Sequence, residues 1–137
     1  MEYADKVQWL RRYQQALQIE NERAEELEQL RTEAARMTPL LSDVPSGGGG
    51  KDRLPEAVEK IVEAQQELQC QINCAKSIRG EILDVINILP DKAHEILRRK
   101  YILGQNWQEI QHWMKYSGSH CYKLHKAAVK MILNDKK

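Results

Sequence analysis

Residues 106–133 read NWQEIQHWMKYSGSHCYKLHKAAVKMIL, two short helical patterns on either side of a turn. Asn106 is a good N-cap. Trp107, Ile110, Trp113 and Met114 follow it at steps of three and four, the spacing of one helix face. Tyr116-Ser117-Gly118-Ser119 then has the composition of a turn, with Ser117 or Ser119 placed to cap the next helix. That helix is predicted to run to about Leu133, with Cys121, Leu124, Ala128, Met131 and Ile132 on its buried side. A short helix, a tight turn and a longer helix with an apolar inner face form the helix-turn-helix pattern.

On the N-terminal side, Pro90 ends one helix and Asp91 is expected to cap another. This one runs to about Ile102 on the apolar face of Ile96, Leu97 and Tyr101, and Gly104 suits its C-terminal stop. Further back, Val58, Ile61, Leu68, Ile72, Ala75, Ile78, Ile82, Val85, Ile86 and Leu89 form the stripe of a long helix opened by Pro55. Ile61, Leu68, Ala75, Ile82 and Leu89 repeat every seven residues, a coiled-coil interval. A Pro/Gly-rich segment from Pro39 to Gly50 precedes it and reads as a flexible connector. Before that, Tyr3, Val7, Leu10, Tyr13, Leu17, Ala24, Leu27, Leu30 and Ala34 mark one face of another long helix, interrupted by Glu20.

The expected architecture is all-α: a long antiparallel helical hairpin followed by a C-terminal helix-turn-helix. Its parts are a first helix over 1–37, a loop over 38–54, a second helix over 55–89 and the helix-turn-helix unit over 90–137. Neither long helix is stable alone in water, so each needs the other or a second copy of the chain, and homo-oligomerisation stays open.

Charge divides the chain. Residues 1–90 carry 11 Lys and Arg against 16 Asp and Glu, net −5, whereas residues 91–137 carry 10 against 4, net +6. A basic third joined to an acidic remainder points to a polyanion-binding module attached to a part with another task. On the outer side of the last helix stand Ser117, Ser119, His120, Tyr122, Lys123, Lys126 and Lys130. Lysines there meet phosphates or guanine edges, and Ser, His and Tyr hydrogen-bond base edges or backbone, so double-stranded DNA is the expected partner. Arg98, Arg99 and Lys100 on the preceding helix are placed to hold flanking phosphates.

These residues carry a resemblance. Ile88-Leu89-Pro90-Asp91, Ile96-Leu97-Arg98-Arg99-Lys100-Tyr101, Trp107-Gln108-Glu109-Ile110 and Tyr122-Lys123-Leu124-His125-Lys126-Ala127 look like region 4 of the sigma-70 family. More narrowly, the chain resembles the phage-encoded, sigma-region-4-like regulators of the ArpU type, which join a long helical part, a Pro/Gly-rich loop and this C-terminal module. The resemblance implies a DNA-binding regulator of late phage transcription, with the acidic helices serving dimerisation or a contact to RNA polymerase. Two positions depart from the pattern: Gln111 stands where a small residue is usual, and Gly118 where a longer polar one is common.

Other chemistry finds little footing. Cys70 and Cys74 lack further metal ligands at suitable spacing, so the three cysteines read as small buried hydrophobes and no metal or cofactor is expected. Glu56, Glu59, Glu63 and Glu67 are a solvated helix face, and the glycine run lacks the Lys-Ser/Thr of a phosphate loop, so no enzyme is expected. Trp107 and Trp113 read as packing residues, and His125 as packing or capping near the helix surface. No apolar run approaches the roughly 18 residues of a membrane span, and no basic-then-apolar leader opens the chain, so a cytoplasmic location is expected. Two alternatives accompany the regulator: the small subunit of a phage DNA-packaging terminase, and a helical adaptor or anti-repressor that binds no DNA.

Overall fold

The computed structural model describes the backbone of residues 1–43 and 49–134 and the side chains of residues 1–37 and 54–134. The chain is all-α, with no strand among the described residues. Its elements are α1 (Tyr3–Asp43), α2 (Gly49–Ile86), α3 (Asp91–Leu97), a π-helical turn (Arg98–Ile102), α4 (Trp107–Met114) and α5 (Gly118–Met131).

Both long helices outrun the sequence-based expectation. α1 passes Pro39 and reaches Asp43, and α2 starts six residues ahead of Pro55. Helical backbone therefore enters the 38–54 segment from both sides, and its centre, 44–48, lies outside the described residues. Each proline forfeits one backbone hydrogen bond, and both fall within two turns of a helix end, where few bonds lie beyond them. α2 ends at Ile86 rather than Leu89, the amide of Leu89 donating to Ile86 O at 3.1 Å. Pro90 (φ −59°, ψ 155°), not Asp91, occupies the N-cap of α3, and Asp91 sits inside the first turn, where its charge complements the helix dipole.

The chain divides into two compact units, Met1–Ala16 with Ala75–Lys137, and Leu17–Cys74. In the first, Leu10, Ile82, Ile86, Ala93, Ile96, Leu97, Tyr101, Ile102, Ile110, Met114, Cys121, Ala128, Val129 and Ile132 form one buried cluster. The π-helical turn closes with Leu103 N donating to Arg98 O at 3.0 Å, and Gly104 turns the chain away with φ +71°. Gln14 completes this end: its amide nitrogen donates to Tyr101 O and Ile102 O at 3.1 and 3.2 Å. Arg12 lies over the Trp9 ring and pairs with Glu81 at 3.6 Å.

The second unit has a thin core, with Leu27 and Ala64 buried and Leu30, Ile61 and Leu68 half-buried. Glu20 and Arg23, both half-buried, interrupt the α1 stripe, and Ala24 faces out where the spacing predicts burial. Val58 is likewise exposed (49%), because Ala57 rather than Val58 turns towards Leu30 and Met37 of α1. The unit carries 6 Lys and Arg against 12 Asp and Glu. Cys70 and Cys74 are exposed along a groove lined by Arg23, Glu63 and Glu67, so only Cys121 behaves as the expected buried hydrophobe.

Candidate nucleic-acid interface

Local signals set α4 and α5. Asn106 Oδ1 accepts from Glu109 N at 2.8 Å while Glu109 Oε1 accepts from Asn106 N at 3.3 Å, a complete capping box. α4 ends at Lys115, a non-glycine residue in the left-handed region (φ 61°), which turns the chain sharply into Tyr116. Of the two serines expected to cap α5, Ser117 does so, its Oγ accepting from His120 N at 3.1 Å, while Ser119 is exposed.

α5 buries Cys121, His125, Ala128 and Val129, and Ile132 follows beyond its end. Leu124 is half-buried and Met131 is exposed, a departure from the predicted inner face. At 100° per residue the direction shared by Cys121, His125 and Ala128 passes through Ile132 and leaves Met131 well to one side. Opposite this direction stand Ser119, Lys123, Lys126 and Lys130, at steps of four, three and four and within about 60° of arc. All four are exposed. α5 contains no Asp or Glu, and none of its three lysines is ion-paired to a described residue.

The flanks of this stripe are aromatic. The exposed His120 ring stacks on Tyr116 with centroids 4.0 Å apart, and Lys92 Nζ lies 5.7 Å from the Tyr116 centroid. Tyr122 is exposed beside Lys123. The ammonium of Lys6, buried under the far end of α5, donates to Lys130 O at 3.2 Å and Asn134 Oδ1 at 2.7 Å, supplying a cation and donors where the helix leaves carbonyls unpaired.

Of the three cations of the π-helical turn expected to hold flanking phosphates, Arg99 and Lys100 have partners within the chain. Arg99 Nε donates to Glu95 Oε1 at 2.6 Å, its Nη1 donates to Gln105 Oε1 at 3.4 Å, and its guanidinium lies 5.2 Å from the Trp113 centroid. Lys100 Nζ sits 4.8 Å from the Trp107 centroid, and burial with the charge of Arg11 pulls its pKa down. Arg98 is half-buried, with no side-chain partner among the described residues. Trp107 packs half-buried against the core, whereas Trp113, expected to pack, is 59% exposed under the Arg99 guanidinium.

Two groups escape sequence reading. His125, expected near the surface, is buried beneath α5 between Tyr101 (Oη to Nε2, 2.7 Å) and Tyr3 (Oη to Nδ1, 3.4 Å), with Trp107 edge-on at 5.1 Å. Burial, reinforced by Lys100 and Arg11, drops its pKa to about 4, and burial raises that of Tyr101 to about 12. Arg11 is the other: exposed on α1, it bears electrostatically on Tyr3, Lys100, Tyr101 and His125, and only its place beside buried Leu10 hints at this.

Among the described residues no group of three or more His, Cys, Asp and Glu is arranged to hold a metal, and no helix is long and apolar enough to cross a membrane. Comparison of the chain with models of known protein families, with curated proteins and with solved structures finds no match.

Proposed function

We propose that this chain is a sequence-specific, double-stranded DNA-binding transcriptional regulator in which α4 and α5 act as a helix-turn-helix and α5 enters the major groove. The observation that carries the reading is the Ser119–Lys123–Lys126–Lys130 stripe: exposed, opposite the buried face of α5, and free of carboxylates along the helix. Such a face neutralises phosphates and presents donors to base edges, while Cys121, Ala128 and Val129 hold the helix to its scaffold. The αL turn at Lys115 and the Ser117 cap fix where α5 begins, which is what sets the register of a reading helix.

The resemblance to ArpU-type, sigma-region-4-like proteins supplies the biological setting of the proposal: control of late phage genes. The acidic long helices then form an antiparallel hairpin for self-association or for a contact to RNA polymerase. The order of neighbours in the second unit supports the hairpin, since Arg23 lies by Glu67 and Cys70 while Met37 lies by Glu56 and Ala57.

Fluorescence anisotropy of labelled duplex DNA, titrated at several salt concentrations, tests the proposal. Wild-type affinity falls steeply with salt, and a His120→Ala/Lys123→Ala/Lys126→Ala variant loses about 2 kcal/mol or more. No binding at low salt would remove the DNA reading and leave a protein partner for the basic helix, whereas equal binding by the variant would show that α5 is not the reading helix.

A further inference from the structure

Gly118, the first residue of α5, has no backbone reason to be glycine, because among the described glycines only Gly104 has a left-handed φ. What a side chain at 118 would meet is Gln111 of α4. A Cβ there would stand 3.1 Å from Gln111 Nε2 and 3.8 Å from its Oε1, and the three nearest atoms all belong to that side chain. The missing side chain at 118 and the long one at 111 thus occupy a single space. The half-buried Gln111 side chain reaches the start of α5 at Gly118, which the exposed Ser117 and Ser119 flank in sequence, and its Nε2 and Oε1 have no hydrogen-bond partner among the described residues. An amide at this edge, with both its donor and its acceptor unpaired, is equipped for bidentate pairing with a base edge.

Resting on the DNA-binding reading above, we infer that Gln111 is a specificity-determining residue that reads a base from α4, taking the place of the side chain that Gly118 lacks. The pattern of a Gln amide matches the N6 donor and N7 acceptor that adenine presents in the major groove, so an A·T pair is the expected target. The lysine stripe supplies affinity without sequence preference, and Gln111 supplies preference at one position.

The test selects duplexes from a randomised library with the full chain, then measures the selected duplex and its single-base-pair variants at two salt concentrations. Wild type, Gln111→Ala, Gly118→Leu and Lys126→Ala are compared, each with a thermal melt. Gly118→Leu keeps Gln111 but displaces its amide, so it separates the amide's position from its mere presence. At one A·T pair the wild type prefers its base by roughly tenfold, and Gln111→Ala and Gly118→Leu both reduce this below about threefold with the salt slope intact. Lys126→Ala does the reverse, lowering affinity and salt slope while leaving the preference in place. An unchanged base profile in Gln111→Ala, or a wild type without preference at any pair, overturns the inference while DNA binding stands. A wild type without salt-sensitive binding overturns the DNA reading itself, and the inference with it.

Discussion

The phenol oxygen of Tyr101 and Nε2 of His125 lie 2.7 Å apart, joining the π-helical turn to the underside of the helix that carries the lysine stripe. The imidazole is neutral at ordinary pH, so it offers one N–H and one lone pair, and its two phenol neighbours, Tyr101 and Tyr3, take one role each. Trp107 closes the side of the ring. The seating of α5 therefore depends on an uncharged histidine.

This dependence sets how stability varies with pH. His125 titrates at about 4 in the folded chain and near 6.5 when unfolded, so between those values the unfolded chain binds a proton that the folded one refuses. The stability is complete above pH 6.5 and declines as pH falls towards 4. Going from pH 7.5 to pH 5 removes about 2 kcal/mol through this group alone. Urea unfolding at the two values, for wild type and His125→Gln, isolates the term, since other acid-sensitive groups are common to both chains. An equal loss in the two chains would mean that His125 is not the group responsible.

A second dependence lies at Gly104. Its φ of +71° disfavours any side chain, and a Cβ there would stand 2.8 Å from Gln14 Oε1. Displacing Gln14 would also free the carbonyls of Tyr101 and Ile102, which it pairs. Gly104→Ala is expected to cost about 2–3 kcal/mol, backbone strain and the lost hydrogen bonds together. Gln14→Ala, which removes the obstacle and the bonds at once, makes Gly104→Ala cheaper by a measurable margin in a double-mutant cycle. Strict additivity would show that the two residues are not coupled.

The serines at the start of α5 are expected to differ. Ser117 Oγ accepts from His120 N, so Ser117→Ala costs about 1 kcal/mol of stability before any DNA is present. Ser119 is exposed and caps nothing, so Ser119→Ala leaves the melt within about 0.5 kcal/mol. Thermal melts of the two variants without DNA separate the roles, and equal losses would show that the cap is shared or absent.

What was legible in the sequence was what depends on near neighbours. The Asn106 cap, the turn at Ser117, the stop at Gly104 and the lysine period on α5 all act within one or two helical turns, so residue type and spacing reveal them. The remainder depends on partners far along the chain. Tyr3 and His125 are 122 positions apart, Lys6 and Lys130 are 124, and Gln14 and Tyr101 are 87. No periodicity reports such pairs, so the sequence places His125 as packing or capping near the helix surface and does not single out Lys6. The same holds in the basic stretch Arg98-Arg99-Lys100, where equal formal charges conceal that Glu95, Gln105 and two tryptophans engage two of the three.

That inequality among cations yields the last expectation. A lysine that meets phosphate is free in the unbound chain, so replacing it changes binding and leaves folding alone. Lys123→Gln, Lys126→Gln and Lys130→Gln should each lower the slope of log affinity against log salt by about 0.9 if they neutralise one phosphate apiece, with melting temperatures unchanged. Arg99→Gln should act the other way round. It breaks the 2.6 Å bond to Glu95 and uncovers Trp113, so stability falls by about 1–2 kcal/mol while the salt slope holds. Anisotropy titrations paired with melts on the four variants decide the matter. Should Arg99→Gln lower the slope as the lysine variants do, then Arg99 leaves Glu95 to meet the phosphate, and the π-helical turn belongs to the interface instead of only supporting it.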